Sequence, residues 1–166
     1  MTPTAFHQLG QFIVNFQHLE DGVNTLLVYM ADANDEIVRI LINELEFGKR
    51  LTTADVAFAC FVDHRGSVDS DMKKQFHDLM VKLRDLGERR NELVHSRYNR
   101  WINIHGKEGL LRTNSRLRGS KGEREEKEEE LQPAAFDGDL ARLAVAAQEL
   151  ERFRLQFIDW KFPDVA

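Results

Sequence analysis

Apolar residues recur in steps of three and four at Phe6, Leu9, Ile13, Phe16, Val23, Leu27 and Met30, with Leu19 and Leu26 widening the stripe. That spacing is one face of a helix. It predicts a first helix from about Pro3 to Met30, with Pro3 in the first turn, where its missing N–H costs nothing. Position 20 falls on the same stripe but holds Glu20. Gly10 and Gly22 each weaken such a helix by about 1 kcal/mol relative to alanine, which suggests close approach of another helix. Asn34 caps a second helix carrying Ile37, Leu41 and Leu45, with Gly48 as its terminator. From Thr52 or Thr53 the apolar run Val56 to Val62 shows no clean period. It reads as a buried helix in preference to a strand, closed by Asp63-His64-Arg65-Gly66. A fourth helix, Ser70 to His95, carries Met72, Phe76, Leu79, Leu83, Leu86 and Leu93, with a bend expected near Gly87. The last begins near Asp137 as N-cap, with Asp139 in its first turn. It buries Leu140, Leu143, Ala147, Leu150, Phe153, Phe157 and Trp160 and stops at Pro163.

Between the last two helices the pattern changes. Tyr98, Trp101, Ile102 and Ile104 are strand formers, and His105 to Gly109 supplies turn chemistry before Leu110-Leu111-Arg112. The expectation is a small β-hairpin. Asn114 to Gln132 reads as a charged, flexible connector, in which Glu123 to Glu130 has no apolar face and at most extends as a solvated helix. The fold class expected is all-α: an antiparallel bundle of four to five helices with a small β-hairpin inserted before the last helix. One domain spans residues 1–166, with 96–132 as the basic hairpin and connector.

Composition narrows the choices. A chain of 166 residues, 42% hydrophobic and with three prolines, is one helical domain's worth. No apolar run approaches the roughly 20 residues of a membrane span. Met1 to Thr4 lacks the character of a signal peptide. The single cysteine, Cys60, excludes an internal disulfide and reads as an inert core thiol. A cytoplasmic protein is expected. Glu92-Leu93-Val94-His95 is a Glu-x-x-His without the second copy that a di-iron bundle needs. Cys60 lacks partners for zinc, and neither a phosphate loop nor a Gly-x-Ser-x-Gly elbow is present. No metal and no cofactor are expected.

Arg90 occupies a position of the fourth helix's apolar stripe, and a guanidinium placed there needs a partner or a task. One reading is a buried Glu20–Arg90 pair that fixes helix register. The other has Glu20 holding Arg90 ready for a phosphate. His95, five residues on, lies about 140° away around the helix. One straight helix cannot aim both side chains at one point, and a two-fold dimer can, so the spacing predicts a composite site between two chains.

Arg90-Asn91-Glu92-Leu93-Val94-His95 resembles the Arg-x(4–6)-His signature of the HEPN superfamily. The layout, with Leu19-Glu20 in a first amphipathic helix and a closing helix after the motif, is similar too. The resemblance covers most of the chain in layout and the hexapeptide in residues. It implies a helical, commonly dimeric protein that cleaves RNA without metal, in toxin–antitoxin or phage-defence settings, with a neutralising antitoxin as a partner. The alternative within the family is a non-catalytic RNA-binding or protein-interaction module. In toxins paired with nucleotidyltransferase antitoxins a Tyr stands two residues after the histidine; here that position is Arg97, and Tyr98 follows. Arg100 and His105 repeat the spacing within the expected hairpin and are given no catalytic role.

The implied site has His95 as general acid or base, Arg90 stabilising the phosphorane, Asn91 orienting either group, and Glu20 and Tyr98 in support. A plain alternative for His95 is a helix-end charge on the dipole. From Arg97 to Lys121, seven Lys and Arg face Glu108 alone, a charge of +6 within a chain of −5. Arg97, Arg100, Trp101, Arg112, Arg116 and Arg118 form the expected RNA-binding set, since cations and aromatics together track phosphates and stack bases. Ordinary surface arginines are the alternative.

Overall fold

The computed structural model describes residues 3–66 and 70–163. Met1 and Thr2, part of the segment judged unlike a signal peptide, lie outside the described residues. Five helices are present: α1 (Ala5–Ala31), α2 (Asp35–Asn43), α3 (Phe47–Arg65), α4 (Ser70–Val94) and α5 (Asp137–Lys161). Three strands, β1 (Arg97–Ile102), β2 (Glu108–Arg118) and β3 (Glu123–Leu131), lie between α4 and α5. They form one antiparallel sheet in the order β1-β2-β3. The expected all-α class with a small hairpin is therefore corrected to a helical body carrying a three-stranded sheet.

The segment expected to be a flexible connector is most of β2's far end and all of β3. Its glutamates are poor strand formers, but the register sets Glu129 opposite Arg112, Glu125 opposite Arg116 and Glu123 opposite Arg118. Opposite charges across a ladder stabilise the pairing. Leu131 opposite Leu110, both fully buried, anchors the strand in the core.

Within the helical body, α1 and α4 each pack against α3 and α5, which sets them diagonally across a four-helix core. Phe58 of α3 stacks on Phe76 of α4 at 4.1 Å and meets Phe153 and Phe157 of α5 edge-on. Such pairs add to area burial by about 0.5–1.5 kcal/mol each.

Several helices turn a different face inward from the one expected. α1 is capped by Thr4, whose hydroxyl accepts from the His7 N–H at 3.2 Å. It buries Phe12, Phe16, Leu19, Val23 and Leu26, leaving Phe6 54% exposed. On that stripe position 20 is a flank. α2 buries Val38 and Ile42 and leaves Ile37 and Leu41 exposed. α3 starts at Phe47, so Gly48 opens a helix instead of closing one. Its stripe of Leu51, Ala54, Phe58 and Val62 has a clean period once that start is known. Cys60 is exposed on α3, with His64 one turn away at 3.6 Å, and is not a core thiol. In α5, Ala147 is exposed and Ala146 buried. A short 3-10 turn, Pro133–Phe136, precedes that helix, so Asp137 is its first residue and not its cap.

α4 is one continuous helix through Gly87. A Cβ there would stand 3.0 Å from the Phe47 ring, so this glycine admits α3's first residue against α4. Gly10, in contrast, has open space around its Cα and ordinary helical backbone. Gly10→Ala is expected to stabilise the fold by about 0.5–1 kcal/mol, read as a higher urea midpoint with an unchanged slope. A lower midpoint would contradict the open environment.

Candidate functional site

The end of α4 is where the chemistry-bearing residues gather, because the sheet leaves the helical body there and α5 returns beside it. Arg89 and Arg90, adjacent in sequence, point about 100° apart around the helix and have different fates. Arg89 turns toward the sheet. Its guanidinium donates to both oxygens of Glu129 at 3.2 and 3.3 Å and, through Nε, to Asp139 at 2.9 Å. Arg112 of β2, only 6% exposed, donates through Nε to the same Glu129 at 2.8 Å and through Nη1 to the Ser96 hydroxyl at 3.2 Å. Asp139, 8% exposed, also accepts from Arg142 at 2.7 Å. This network joins α4, β2, β3 and α5.

Burial pushes the Glu129 carboxyl up, but the Arg89 and Arg112 guanidiniums outweigh it and hold the group below the usual glutamate value. For Arg89, burial works against the charge, and the bonds to Glu129 and Asp139 more than offset it, so its pKa lies above the ordinary arginine value. Tyr98 packs beside the network, donating to the Leu93 carbonyl at 2.6 Å. Burial raises its phenol, against the pull of Arg112 and Arg89. Tyr98 thus ties β1 to the end of α4, and its hydroxyl is spent on the backbone. Arg112, expected to bind RNA, is spent in the same way.

The sequence carried a signal for Arg112. Alternation along β2 puts it on the face of Leu110, so it was a cation on a core-facing position.

Arg90 stays outside this network. It is half-buried, and its Nη1 donates to the Asn91 carboxamide oxygen at 3.0 Å. Among the described residues it makes no ion pair, so a buried Glu20–Arg90 lock is not what this fold contains. Arg90, Asn91 and the half-buried Glu20 instead line one open cleft of about 720 Å³ between α1, the start of α3 and α4. Phe16 and Phe47 also line it, and the further cations Lys49 and Arg84 are matched by the carboxylates Glu46 and Glu88. His95 follows the last residue of α4, its N–H still bonded to the Asn91 carbonyl at 3.0 Å. Its ring is exposed, makes no hydrogen bond among the described residues and lies outside the cleft lining. One chain therefore brings together Glu20, Arg90 and Asn91, and does not bring His95 to them.

The chain matches no family model, no curated protein and no solved structure.

The expected RNA-binding residues are scattered over the sheet. Arg97 is exposed on β1. Arg100 lies over the Phe6 ring, 6.0 Å from its centroid, and with the 40% exposed Trp101 it lines a cleft of about 430 Å³ beside the start of α1. Arg118 pairs with Glu125 at 2.9 Å, and Arg116 is exposed. The acidic strand changes the local charge. From 97 to 131 the chain carries nine Lys and Arg against seven Glu, a net of +2 in place of +6. Among the described residues, no three His, Cys, Asp or Glu side chains converge to hold a metal, and no helix is long and apolar enough to cross a membrane.

Proposed function

We propose that the protein is a metal-independent endoribonuclease of the HEPN type, working as a cytoplasmic homodimer with Arg90, Asn91 and His95 in a composite site. The observation that carries this is the freedom of Arg90. Its neighbour Arg89 does the structural pairing, while Arg90 opens on a cleft with only a neutral carboxamide bound to it. A guanidinium free of carboxylates keeps its planar fork of donors for a phosphate.

The reaction is attack of an RNA 2′-oxygen on the adjacent phosphorus. A new 2′-O–P bond forms and the P–O5′ bond breaks, giving a 2′,3′-cyclic phosphate and a 5′-hydroxyl. One proton leaves the 2′-hydroxyl and one must reach the departing 5′-oxygen. An imidazole is the side chain that exchanges protons near neutral pH, and His95 presents one to solvent. Arg90 would stabilise the charge that builds on the phosphorane. The angle between residues 90 and 95 around α4 is why the imidazole is assigned to a second copy.

Cleavage of single-stranded RNA by wild-type protein in the presence of a chelator, with cyclic-phosphate ends in the products, tests this. Cleavage that appears only when metal is added removes the proposal. Stable RNA binding without cleavage favours instead a non-catalytic RNA-binding module, a reading that fits the separation of His95 from the cleft.

A further inference from the structure

Alternation along β2 places Arg112, Asn114, Arg116 and Arg118 on one face, and the register sets Glu129, Lys127, Glu125 and Glu123 beside them. Beyond Arg112 this face leaves the core and folds over the end of α4, where Glu92 closes a small polar pocket of about 160 Å³. At about 30 Å³ per water, that is room for about five waters, enough for a tetrahedral oxyanion and its solvent but not for a nucleoside.

The charges lining this pocket do not cancel. Glu125 is held by Arg118 at 2.9 Å. Glu92 sits 3.5 Å from Arg89 and 3.9 Å from Arg112. Arg112 itself is bound to Glu129. Two cations are left, Arg116 and Lys127, which form no ion pair among the described residues, together with the Asn114 carboxamide. All three line the pocket.

We infer that this pocket is a phosphate subsite, in which Arg116, Lys127 and Asn114 hold one backbone phosphodiester of a single-stranded RNA. The inference rests on the endoribonuclease reading for the identity of the polymer. Position supports that choice. Glu92 lies one turn before His95, and Arg112 grips Ser96, the residue after it. The subsite is thus built against the last turn of α4, which leads into His95. Arg112 forms the rigid floor of the subsite and is not its ligand.

The test uses a short fluorescently labelled 2′-O-methyl RNA, which lacks the nucleophile and so reports binding without cleavage. The variants are Arg116→Gln/Lys127→Gln and, as control, Arg124→Gln on the opposite face. The double variant is expected to bind on the order of tenfold more weakly near 0.1 M salt, with a slope of log affinity against log salt shallower by about 0.7, the value for one phosphate. The control keeps the wild-type values. A double variant with wild-type affinity and slope overturns the subsite. So does a pocket that takes inorganic phosphate alone while affinity for the oligonucleotide is unchanged in the variant. Ordinary RNA that is bound with the expected slope but never cut removes the nuclease reading and leaves the subsite standing. Ordinary RNA that is cut by wild type and double variant with equal affinity does the reverse.

Discussion

Glu129→Gln is expected to destabilise the protein by about 2–4 kcal/mol, below the roughly 3–5 kcal/mol for breaking a fully buried ion pair, because Glu129 is itself 36% exposed. The replacement keeps the shape but removes the carboxylate that hydrogen-bonds both Arg89 and Arg112. Arg89 retains Asp139 at 2.9 Å, while Arg112, 7% exposed as a side chain, is left with Glu92 at 3.9 Å. For a chain of this size the loss corresponds to a drop in Tm of roughly 5–10 °C. Unfolding should also change its dependence on pH. The folded-state pKa of Glu129 is depressed, so its contribution is present above the unfolded glutamate value of about 4.3 and is lost as pH falls through the lower folded value. Denaturant unfolding from neutral pH down into that acidic window should show wild type converging on Glu129→Gln. Two parallel curves, or an unchanged Tm, would mean that the sheet is held to the helices by something other than these charges.

His95→Ala and Arg90→Ala are each expected to lower RNA cleavage by about 10²–10⁴ while leaving Tm near wild type. Neither side chain belongs to the Arg89–Glu129–Arg112 network, and both are accessible. Mixing the two inactive variants separates an intrachain site from a composite one. If arginine and imidazole come from different copies, a mixed dimer carries one intact pair of residues. A statistical mixture should then recover about a quarter of wild-type activity. Recovery of nothing, with dimers formed, would place the whole site in one chain and remove the shared geometry. Full activity in either single variant would remove the residue from the chemistry.

How far local pattern reaches is clear from these residues. The span of α4 and the far end of α5 were legible to within about two residues, since a helix's apolar period is written into its own sequence. The start of α3 was not. Only two residues, Leu45 and Glu46, separate Glu44, which closes α2, from Phe47. Gly48 looks like a terminator until Phe47 is seen packed against Gly87, some forty positions away. β3 was invisible for a stronger reason. A run of Glu, Lys and Arg has no alternation of its own, and what makes it a strand is a row of arginines on β2.

The candidate site divides along the same line. Glu20 and Arg90 were identifiable as polar residues on apolar stripes, and Asn91 and His95 through the hexapeptide they share with Arg90; the fold sets Glu20, Arg90 and Asn91 around one cleft. Which arginine locks the structure was not decidable from sequence. Arg89 and Arg90 differ by one position and about 100° of rotation, and the choice depends on where the sheet and α5 come to rest against α4. By itself the sequence determined where most of the helices run and which side chains sit oddly on them, because those are short-range matters of period and propensity. Tertiary structure alone decided which charges are neutralised, because a carboxylate 40 or 50 residues away chooses its guanidinium through space.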